Sequence, residues 1–403
     1  MKRTTLIIPV VLLLMIAVMF VSCSSDKDGW GGEIEEVNGV KIVRNPLEPY
    51  YGELAIELED DLEIGNGEDP NYQFYNVTGI ALDSMENIYV LDSGNHRVQK
   101  FDKDGRYLLT IGREGEGPGE FVSLSDVFID SQDTIYLSDR RRIQIFDSDG
   151  IYKDSITFET NINDFFLDVN GNIYTFIMQS DGEGSKKYLV KYDRDGKIVD
   201  RVTEFSDVEA VQSRDGSGLT VTFKAYHQYN YWPYLFPASD EEYIYAYPSD
   251  YVITTMSYKG EISTKIEKDD LPKKISQAEK DFIINRIEEA FERRGRKPPR
   301  DVVEASCQFP AHRPFFQGMT TDDTGRIYVR IARSVLDESG QVELDIFSKD
   351  GYYLYRTILS FNPDIIKNGL LYDRYTSEET GEVRIKRYRV KNWDQIKVGT
   401  KIP

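Results

Sequence analysis

A short motif that recurs along the chain limits its fold more than any other feature. In five copies of the motif, an Ile-Tyr pair in a predicted strand is followed, 15 to 24 residues after its isoleucine, by the glycine of a tight-turn sequence such as DKDG. The first copy, from Val77 to Ile111, reads as four short strands separated by three turns. One sheet of this size cannot bury both of its apolar faces, so the copies are expected to stack on one another. The pairs are Ile88-Tyr89, Ile135-Tyr136, Ile173-Tyr174, Ile244-Tyr245 and Ile327-Tyr328, and the glycines are Gly105, Gly150, Gly196, Gly260 and Gly351.

The spacing of the copies predicts the architecture. Successive pairs lie 47, 38, 71 and 83 residues apart, and the first two spacings match the roughly 40 to 50 residues of a β-propeller blade. The longer spacings must contain insertions. We therefore predict an all-β protein, a six-bladed β-propeller with four-stranded blades. The sixth blade is expected to combine two strands from Val37 to Leu58 with two from Leu370 to Val390, which closes the ring and removes its exposed edges.

One helix is predicted near residues 275–294, inside an insertion that spans about residues 272–300. Apolar residues such as Phe282 and Ile283 recur at helical spacing, and Ser276 with Glu279 fits a capping box. The helix is expected to lie on one face of the disc. Two interpretations stay open, a lid over the central channel and a simple surface cover.

The N-terminal segment predicts export. Residues 1–22 have a basic tip followed by an apolar run that is too short to span a bilayer, which is typical of a signal peptide. Phe20 to Cys23 resembles a bacterial lipobox, so Cys23 is the predicted site of lipidation. Residues 23–36 are polar and glycine-rich, which predicts a flexible tether before a propeller domain at 37–403. Asp26 and Asp28 are similar to the acidic export signals of surface lipoproteins in Bacteroidota.

Charge and cysteine content narrow the choice of partners. The chain has 49 basic and 69 acidic residues, a net charge of −20, so nucleic acid is not expected as a partner. The same charge disfavours docking on anionic lipid, so membrane attachment would depend on the N-terminal lipid alone. Once Cys23 is lipidated, Cys307 is the other cysteine, and no intramolecular disulfide is possible. We expect a monomer.

A family resemblance supports the fold. The sequence LDSGNHRVQKFD, from Leu91 to Asp102, together with the glycine-rich loop that ends at Phe121, resembles an NHL repeat, whose family builds β-propellers. The second copy keeps the strand and turn but carries arginines in place of Asn-His. The whole layout resembles the six-bladed propeller lipoproteins of gut Bacteroidota, which implies an outer-membrane location, on the periplasmic face or the cell surface.

The candidate ligand residues lie in the repeat turns and in the insertions. Six aromatic residues fall beside His227 within residues 226–236. Such rings suit the apolar faces of sugars or a peptide chain, although they could equally fill the wedges between blades. A second group lies just before the fifth blade, where strands begin near the channel. The predicted binding residues are His96, Arg97, Arg140, Arg141, Tyr226, His227, Tyr229, Trp232, His312, Arg313 and Phe316.

No catalytic residue and no cofactor is predicted. The motifs H-E-x-x-H, G-x-S-x-G and C-x-x-C do not occur, and turn chemistry explains the D-x-D-G sequences better than calcium binding does. Certain six-bladed lyases that resemble this family use a central metal, which makes a zinc site at His96, His227 and His312 a weaker alternative. A pair of catalytic carboxylates cannot be chosen among so many acids from sequence.

We therefore predict a lipid-anchored binding module of the cell envelope that holds a glycan or a peptide at the channel mouth. One alternative is a metal-dependent lyase or hydrolase with a site in the channel. Another is a scaffold subunit of an outer-membrane complex, which would bind an envelope protein.

Overall fold

Six sheets follow one another along the chain and form a ring. The computed structural model describes residues 29–65, 67–180, 185–206, 213–214, 220–221, 229, 231–295, 299–307, 309–377 and 380–399. Three strands precede the first sheet, namely β1 (Glu33–Val37), β2 (Val40–Asn45) and β3 (Leu58–Ile64). The first blade consists of β4 (Val77–Leu82), β5 (Ile88–Asp92), β6 (Arg97–Phe101) and β7 (Tyr107–Ile111).

The next three blades repeat this antiparallel order. The second blade contains β8 (Leu124–Ile129), β9 (Ile135–Asp139), β10 (Arg142–Phe146) and β11 (Tyr152–Thr157). The third contains β12 (Phe165–Leu167), β13 (Ile173–Ser180), β14 (Ser185–Tyr192) and β15 (Ile198–Ser206). A small pair, β16 (Ser213–Arg214) and β17 (Thr220–Val221), lies in the connector to the fourth blade, which contains β18 (Tyr234–Pro237), β19 (Glu242–Ala246), β20 (Val252–Ser257) and β21 (Ile262–Lys268).

Two helices and two blades complete the ring. The helices are α1 (Gln277–Arg293) and α2 (Arg300–Ser306). The fifth blade contains β22 (Phe316–Thr321), β23 (Ile327–Ile331), β24 (Val342–Phe347) and β25 (Tyr353–Leu359). The sixth contains β26 (Ile365–Lys367), β27 (Leu370–Thr376) and β28 (Val383–Val390), and β3 pairs with β28 as its fourth strand. The predicted six-bladed propeller, closed by N- and C-terminal strands, is confirmed.

The composition of the sixth blade differs from the sequence prediction. Three strands come from the C-terminus and one from the N-terminus, instead of two from each. The other N-terminal strand, β2, pairs in parallel with β21 and extends the fourth blade. Two of its side chains explain this position. Val43 is fully buried, and Asn45 donates to the carbonyl of Gly351 at 2.8 Å and accepts from the amide of Tyr353 at 2.7 Å.

The ordered chain also begins earlier than the predicted boundary at residue 37. Residues 33–37 form β1, which pairs with β2 as a hairpin. Trp30 packs edge-on against Tyr352, with ring centroids 4.9 Å apart. Residues 30 and 33–36, assigned to the tether from their polar composition, thus contact the folded domain.

The repeat motif explains how each blade is stabilised. The isoleucines of the five Ile-Tyr pairs are buried between neighbouring sheets. In the first blade, the hydroxyl of Tyr89 donates to Asp83 at 3.2 Å, and Asp83 also accepts the amide of Asn87 at 2.9 Å. Tyr136 and Tyr328 donate in the same way to the aspartates of their own turns. The acidic residues therefore accept hydrogen bonds that close the turns, as the turn interpretation predicts.

The loops divide between the two faces of the disc. In each blade, the turns between first and second strands and between third and fourth strands share one face, because neighbouring strands are antiparallel. The remaining loops and the connectors between blades share the opposite face, which we call the loop face. Both long insertions, before β18 and between β21 and β22, are connectors and belong to it.

Helix α1 confirms the predicted helix. Ser276 caps it, and both hydrogen bonds of the capping box with Glu279 are present. Ile283 and Ile284 are its buried apolar residues, and Ile283 lies in a cluster that includes Tyr229 and Ile275. Helix α2 was not predicted, because its seven residues carry too little periodicity. Among the described residues, no helix is long and apolar enough to cross a membrane.

Candidate functional site

A cavity of about 490 Å³ lies between the first strands of the blades, where a propeller has its central channel. Its walls come from five of the six blades, so the site exists only in the closed ring. Among the polar and aromatic residues that line it are Asp126, Asp164, Trp232, Tyr234, Arg330, Asp364 and Arg374.

Two aspartates form one wall of the cavity. Asp126 lies in β8 just after a bulge, and its carboxylate accepts the amide of Phe165 at 3.0 Å. Asp164 accepts the indole N–H of Trp232 at 3.1 Å. Within the part of the chain that the structure describes, no Lys or Arg nitrogen lies within 4.0 Å of either carboxylate. Both carboxyl groups are therefore without a cationic partner.

The pKa values of these two acids reflect that environment. Burial, followed by the nearby charge of Asp164, raises the pKa of Asp126 to about 8. Burial also raises the pKa of Asp164, although the hydrogen bond from Trp232 opposes the shift. Asp164 remains open to the cavity, but the surrounding protein limits how well water can hydrate it. At neutral pH Asp126 is therefore mostly protonated.

An arginine without a carboxylate partner lies on another wall. Arg330, in β23, donates to the carbonyl of Gln317 at a bulge in β22. No carboxylate of the described residues lies within ion-pair distance of it. Burial raises the pKa of Tyr234 to about 12, while the charge of Arg330 lowers it and that of Asp164 raises it. The Tyr234 hydroxyl therefore lies within electrostatic reach of both unpaired charges.

The second arginine of the cavity is neutralised. Arg374 binds Asp364 through two hydrogen bonds of 2.8 and 2.6 Å. It also donates to the carbonyl of Val77 at 3.2 Å, which joins the sixth blade to the first. This pair helps to close the ring. Arg330 is therefore the arginine of the cavity lining whose charge is not neutralised by a carboxylate.

The predicted site residues do not form one site. Of the predicted residues that the structure describes, Trp232 alone lines the central cavity. Arg140 and Arg141 line a separate cavity of about 480 Å³ on the loop face. Phe316 is fully buried in the core between the fourth and fifth blades, so it packs the fold and is not available to a ligand.

Arg97 has a structural partner. Asp92 accepts the amide of Tyr75 at 3.0 Å and the Nε of Arg97 at 3.2 Å, which fixes the connector entering the first blade. Arg97 further donates to connector carbonyls. Asp139 and Arg142 repeat this arrangement in the second blade. In both blades, an aspartate and an arginine thus fix the connector that enters the blade. We call this arrangement, Asp92 with Arg97 and Asp139 with Arg142, the connector lock.

The two histidines that the structure describes, His96 and His312, lie in different parts of the fold. His96 occupies a left-handed turn at φ +54° between β5 and β6, and the carbonyl of His312 accepts the hydroxyl of Tyr231 at 2.7 Å. Tyr226 and His227 lie outside the described residues, as does Cys23. Within the described ranges, no group of three or more His, Cys, Asp or Glu side chains could hold a metal ion.

Two predicted residues, Tyr229 and Arg313, meet on the loop face around Glu279. Glu279 is only 1% exposed. It accepts hydrogen bonds from Tyr229, from Ser334 at 2.7 Å and from Ser276 at 2.8 Å, and the Nε of Arg313 lies 3.0 Å away. Together these contacts connect α1 to both insertions and to the fifth blade. We call this group the Glu279 cluster.

The Glu279 cluster stabilises an ionised buried acid. Burial alone would raise the pKa of Glu279, but hydrogen bonds from Tyr229, Ser276 and Ser334 outweigh it and lower the pKa to about 2. Arg313 adds charge at close range, although its Nε is not aligned for a hydrogen bond. No residue of α1 lines the central cavity, so the described contacts support the surface-cover interpretation of this helix.

Sequence similarity agrees with the fold. The profile of a family described as a domain of unknown function (DUF4934) matches residues 83–293. The NHL repeat-containing protein 3 of Homo sapiens is 31% identical over 104 residues, which is 25% of this chain and 30% of that protein. The protein brain tumor of Drosophila melanogaster is 33% identical over 82 residues, 19% of this chain and 8% of that protein. The chain thus spans less than a third of the length of these relatives.

Solved structures show the same propeller fold. A predicted exported protein from Bacteroides fragilis has a TM-score of 0.53 and 13% identity, covering 86% of this chain and 100% of that one. A member of the DUF4221 family from Bacteroides vulgatus has a TM-score of 0.50 and 10% identity, covering 83% of this chain and 98% of that one. The NHL-like propeller and its similarity to Bacteroides propellers are confirmed.

Proposed function

The chain belongs to the DUF4934 family, and from the geometry of its channel we propose that it is a binding module of the cell envelope whose ligand enters the central cavity. The observation that supports this most directly is the wall formed by Trp232 and Asp164. An indole ring and a carboxylate held together by a hydrogen bond of 3.1 Å offer an apolar surface beside a polar acceptor. Ligand pockets combine these two features.

The proposed ligand is a glycan or a peptide. Tyr234 and Phe128 extend the aromatic lining, while Asp126 and Arg330 add polar groups that can fix orientation. A rigid closed ring holds these groups in place without ligand, which reduces the ordering that binding requires. The volume of about 490 Å³ falls within the usual range for small-ligand pockets, about 300 to 1,000 Å³.

The envelope location is part of the proposal and depends on the N-terminal sequence. Lipid on Cys23 would anchor the domain, since buried methylenes contribute about 0.8 kcal/mol each. Metabolic labelling with a fatty acid should mark the wild-type protein and not Cys23→Ser, and that variant should leave the membrane fraction. Equal labelling of both would refute the anchor.

Binding is tested with a glycan array and a peptide library. The wild-type domain is expected to capture members of one set, and Trp232→Ala should abolish capture. Tyr75→Ala is the control, because Tyr75 is 77% exposed and lies outside the cavity. Equal capture by wild type and Trp232→Ala, or no capture from either set, would contradict the proposed site.

A second candidate is a hydrolase or lyase, and the Asp126–Asp164 pair is what favours it. Two carboxyl groups with raised pKa values in one cavity can provide a general acid and a general base. Turnover of a captured ligand that disappears in both Asp126→Asn and Asp164→Asn would establish this activity. A ligand recovered unchanged after long incubation would refute it for that ligand.

A further inference from the structure

We propose that the central cavity recognises a short peptide by its two charged ends, with the ammonium group between Asp126 and Asp164 and the carboxylate at Arg330. This rests on the proposed binding function and specifies its ligand. Charges of both signs face this one cavity and are not paired with each other.

Unpaired charges in a crowded channel are costly, and folded proteins usually pair them. This chain pairs such groups elsewhere. Arg374 binds Asp364 in the same cavity, and Arg326 binds Asp322 at 2.7 Å in the buried interior. Asp126, Asp164 and Arg330 differ, because within the described residues none has an oppositely charged side chain in reach. A ligand that carries both charges would satisfy all three.

The residues between these charges also suit a peptide. Tyr234 lines the same cavity as Asp164 and Arg330, so its hydroxyl can hydrogen-bond to a peptide backbone held between the two ends. Trp232 fixes Asp164 through its indole N–H and contributes an aromatic surface to the same wall. Aromatic rings beside carboxylates favour an ammonium group.

Other ligands satisfy fewer of these groups. A neutral sugar would leave the charge of Arg330 and the acidic pair uncompensated. A lone cation would neutralise the aspartates but would not contact Arg330. A peptide with free ends matches both walls at once.

Binding of an ammonium group should release a proton. The pKa of Asp126 is raised to about 8, so this carboxyl is mostly protonated at pH 7. The other charged and titratable groups that line the cavity are Asp164, Tyr234, Tyr328, Arg330 and the Asp364–Arg374 pair. A cation beside Asp126 favours its ionised form, so affinity should rise with pH up to about pH 8.

The test uses the full domain and three forms of one mixed tripeptide library, with free ends, with acetylated N-termini and with amidated C-termini, read by native mass spectrometry. Members of the library with free ends should bind. Each blocked form should bind at least about tenfold more weakly, as expected for the loss of one charged hydrogen bond. Asp164→Asn should remove the preference for a free N-terminus, and Arg330→Gln the preference for a free C-terminus. Asp154→Asn, at an exposed position of β11, should change neither.

Calorimetry of a captured peptide in two buffers of different ionisation enthalpy then measures proton release at pH 7. Release that is absent in Asp126→Asn supports the assignment, and no release from wild type overturns the role of Asp126. Circular dichroism confirms that each variant is folded.

The outcomes separate this inference from the proposed function. Equal binding of free and blocked peptides overturns the inference and leaves a peptide-binding module. Capture of glycans and of no peptide overturns it and leaves a glycan-binding module. Capture of neither refutes both.

Discussion

Replacing Glu279 by glutamine tests how the insertions are held on the loop face. Glutamine has the shape of a protonated glutamate, so the substitution removes the charge and keeps the volume. The folded pKa is about 2 and the ordinary value is 4.5. At about 1.4 kcal/mol per pKa unit, this difference corresponds to about 3 kcal/mol of stability at pH 7. Glu279 is almost fully buried, so solvent screening reduces this value little.

The sign of the pH dependence follows from the lowered pKa. The contribution of Glu279 is present above about pH 4.5 and is lost as the pH falls through about 2, because protonation removes the same charge as the substitution. The difference between wild type and Glu279→Gln should therefore decrease from about 3 kcal/mol at pH 7 to roughly half near pH 3.

The assay is urea unfolding at both pH values, combined with hydrogen exchange of α1 at pH 7. Glu289→Gln is the matched control, since Glu289 lies on the same helix and is exposed, and it should change stability by less than about 0.5 kcal/mol. Exchange should accelerate in α1 and in the loop that carries Ser334, and not in the first blade. A Glu279→Gln variant as stable as the control, or a difference that does not change with pH, would refute the reasoning.

Three further predictions address the channel, the connector lock and the core. The pKa of Asp126 is raised above its ordinary 3.8 to about 8. Its contribution to stability is therefore complete below about pH 4 and is lost as the pH rises through about 8. In urea unfolding, the free energy of unfolding of Asp126→Asn should equal that of wild type at pH 4 and exceed it at pH 9. Asp92→Ala removes a fully buried carboxylate that pairs with Arg97, and should cost about 3 kcal/mol, with faster hydrogen exchange in residues 70–76; unchanged exchange there would contradict the lock. Phe316→Ala should lower the free energy of unfolding by about 3 to 5 kcal/mol, while the ligand affinity of the folded protein stays constant. A loss of affinity without a loss of stability would show instead that Phe316 contacts the ligand.

The fold could be predicted from sequence because each blade carries its own local signals. The Ile-Tyr pair marks a buried second strand, and the turn glycine marks the last hairpin. Gly105 has φ +81° and Gly351 has φ +95°, backbone conformations that favour glycine. These signals need only neighbouring residues, so one copy is enough to recognise a blade.

The partner of each N-terminal strand could not be predicted in the same way. Val40–Asn45 and Leu58–Ile64 both mix apolar and polar residues without a strict alternation, and either could extend a sheet. The choice depends on which distant edge has space for Val43, a contact between residues far apart in sequence. Strand pairing across the whole chain is not encoded in a local pattern.

The aspartates of the cavity were not predicted, because they share a position within the blade and not a recognisable sequence motif. Asp126, Asp164 and Asp364 each precede two apolar residues at the start of the first strand of a blade, in the sequences DVF, DFF and DII. Aligning the blades on these first strands would have revealed the shared acidic position. The density of aromatic residues within 226–236 predicts a ligand site instead. Of the members that the structure describes, Tyr229 and Tyr231 hold the insertions, whereas Trp232, Tyr234 and Phe236 line the cavity.

The sixth blade combines β3 with β26, β27 and β28, so the ring can close only after the C-terminal strands have been synthesised. Leu58 of β3 pairs with Val390 of β28, so β3 has no partner strand until β28, which is synthesised much later, has emerged. A nascent chain that stops before β28 leaves β3 without its partner strand and the sixth blade incomplete. Such a product would expose two sheet edges that proteases and chaperones recognise, whereas the finished chain hides both at once.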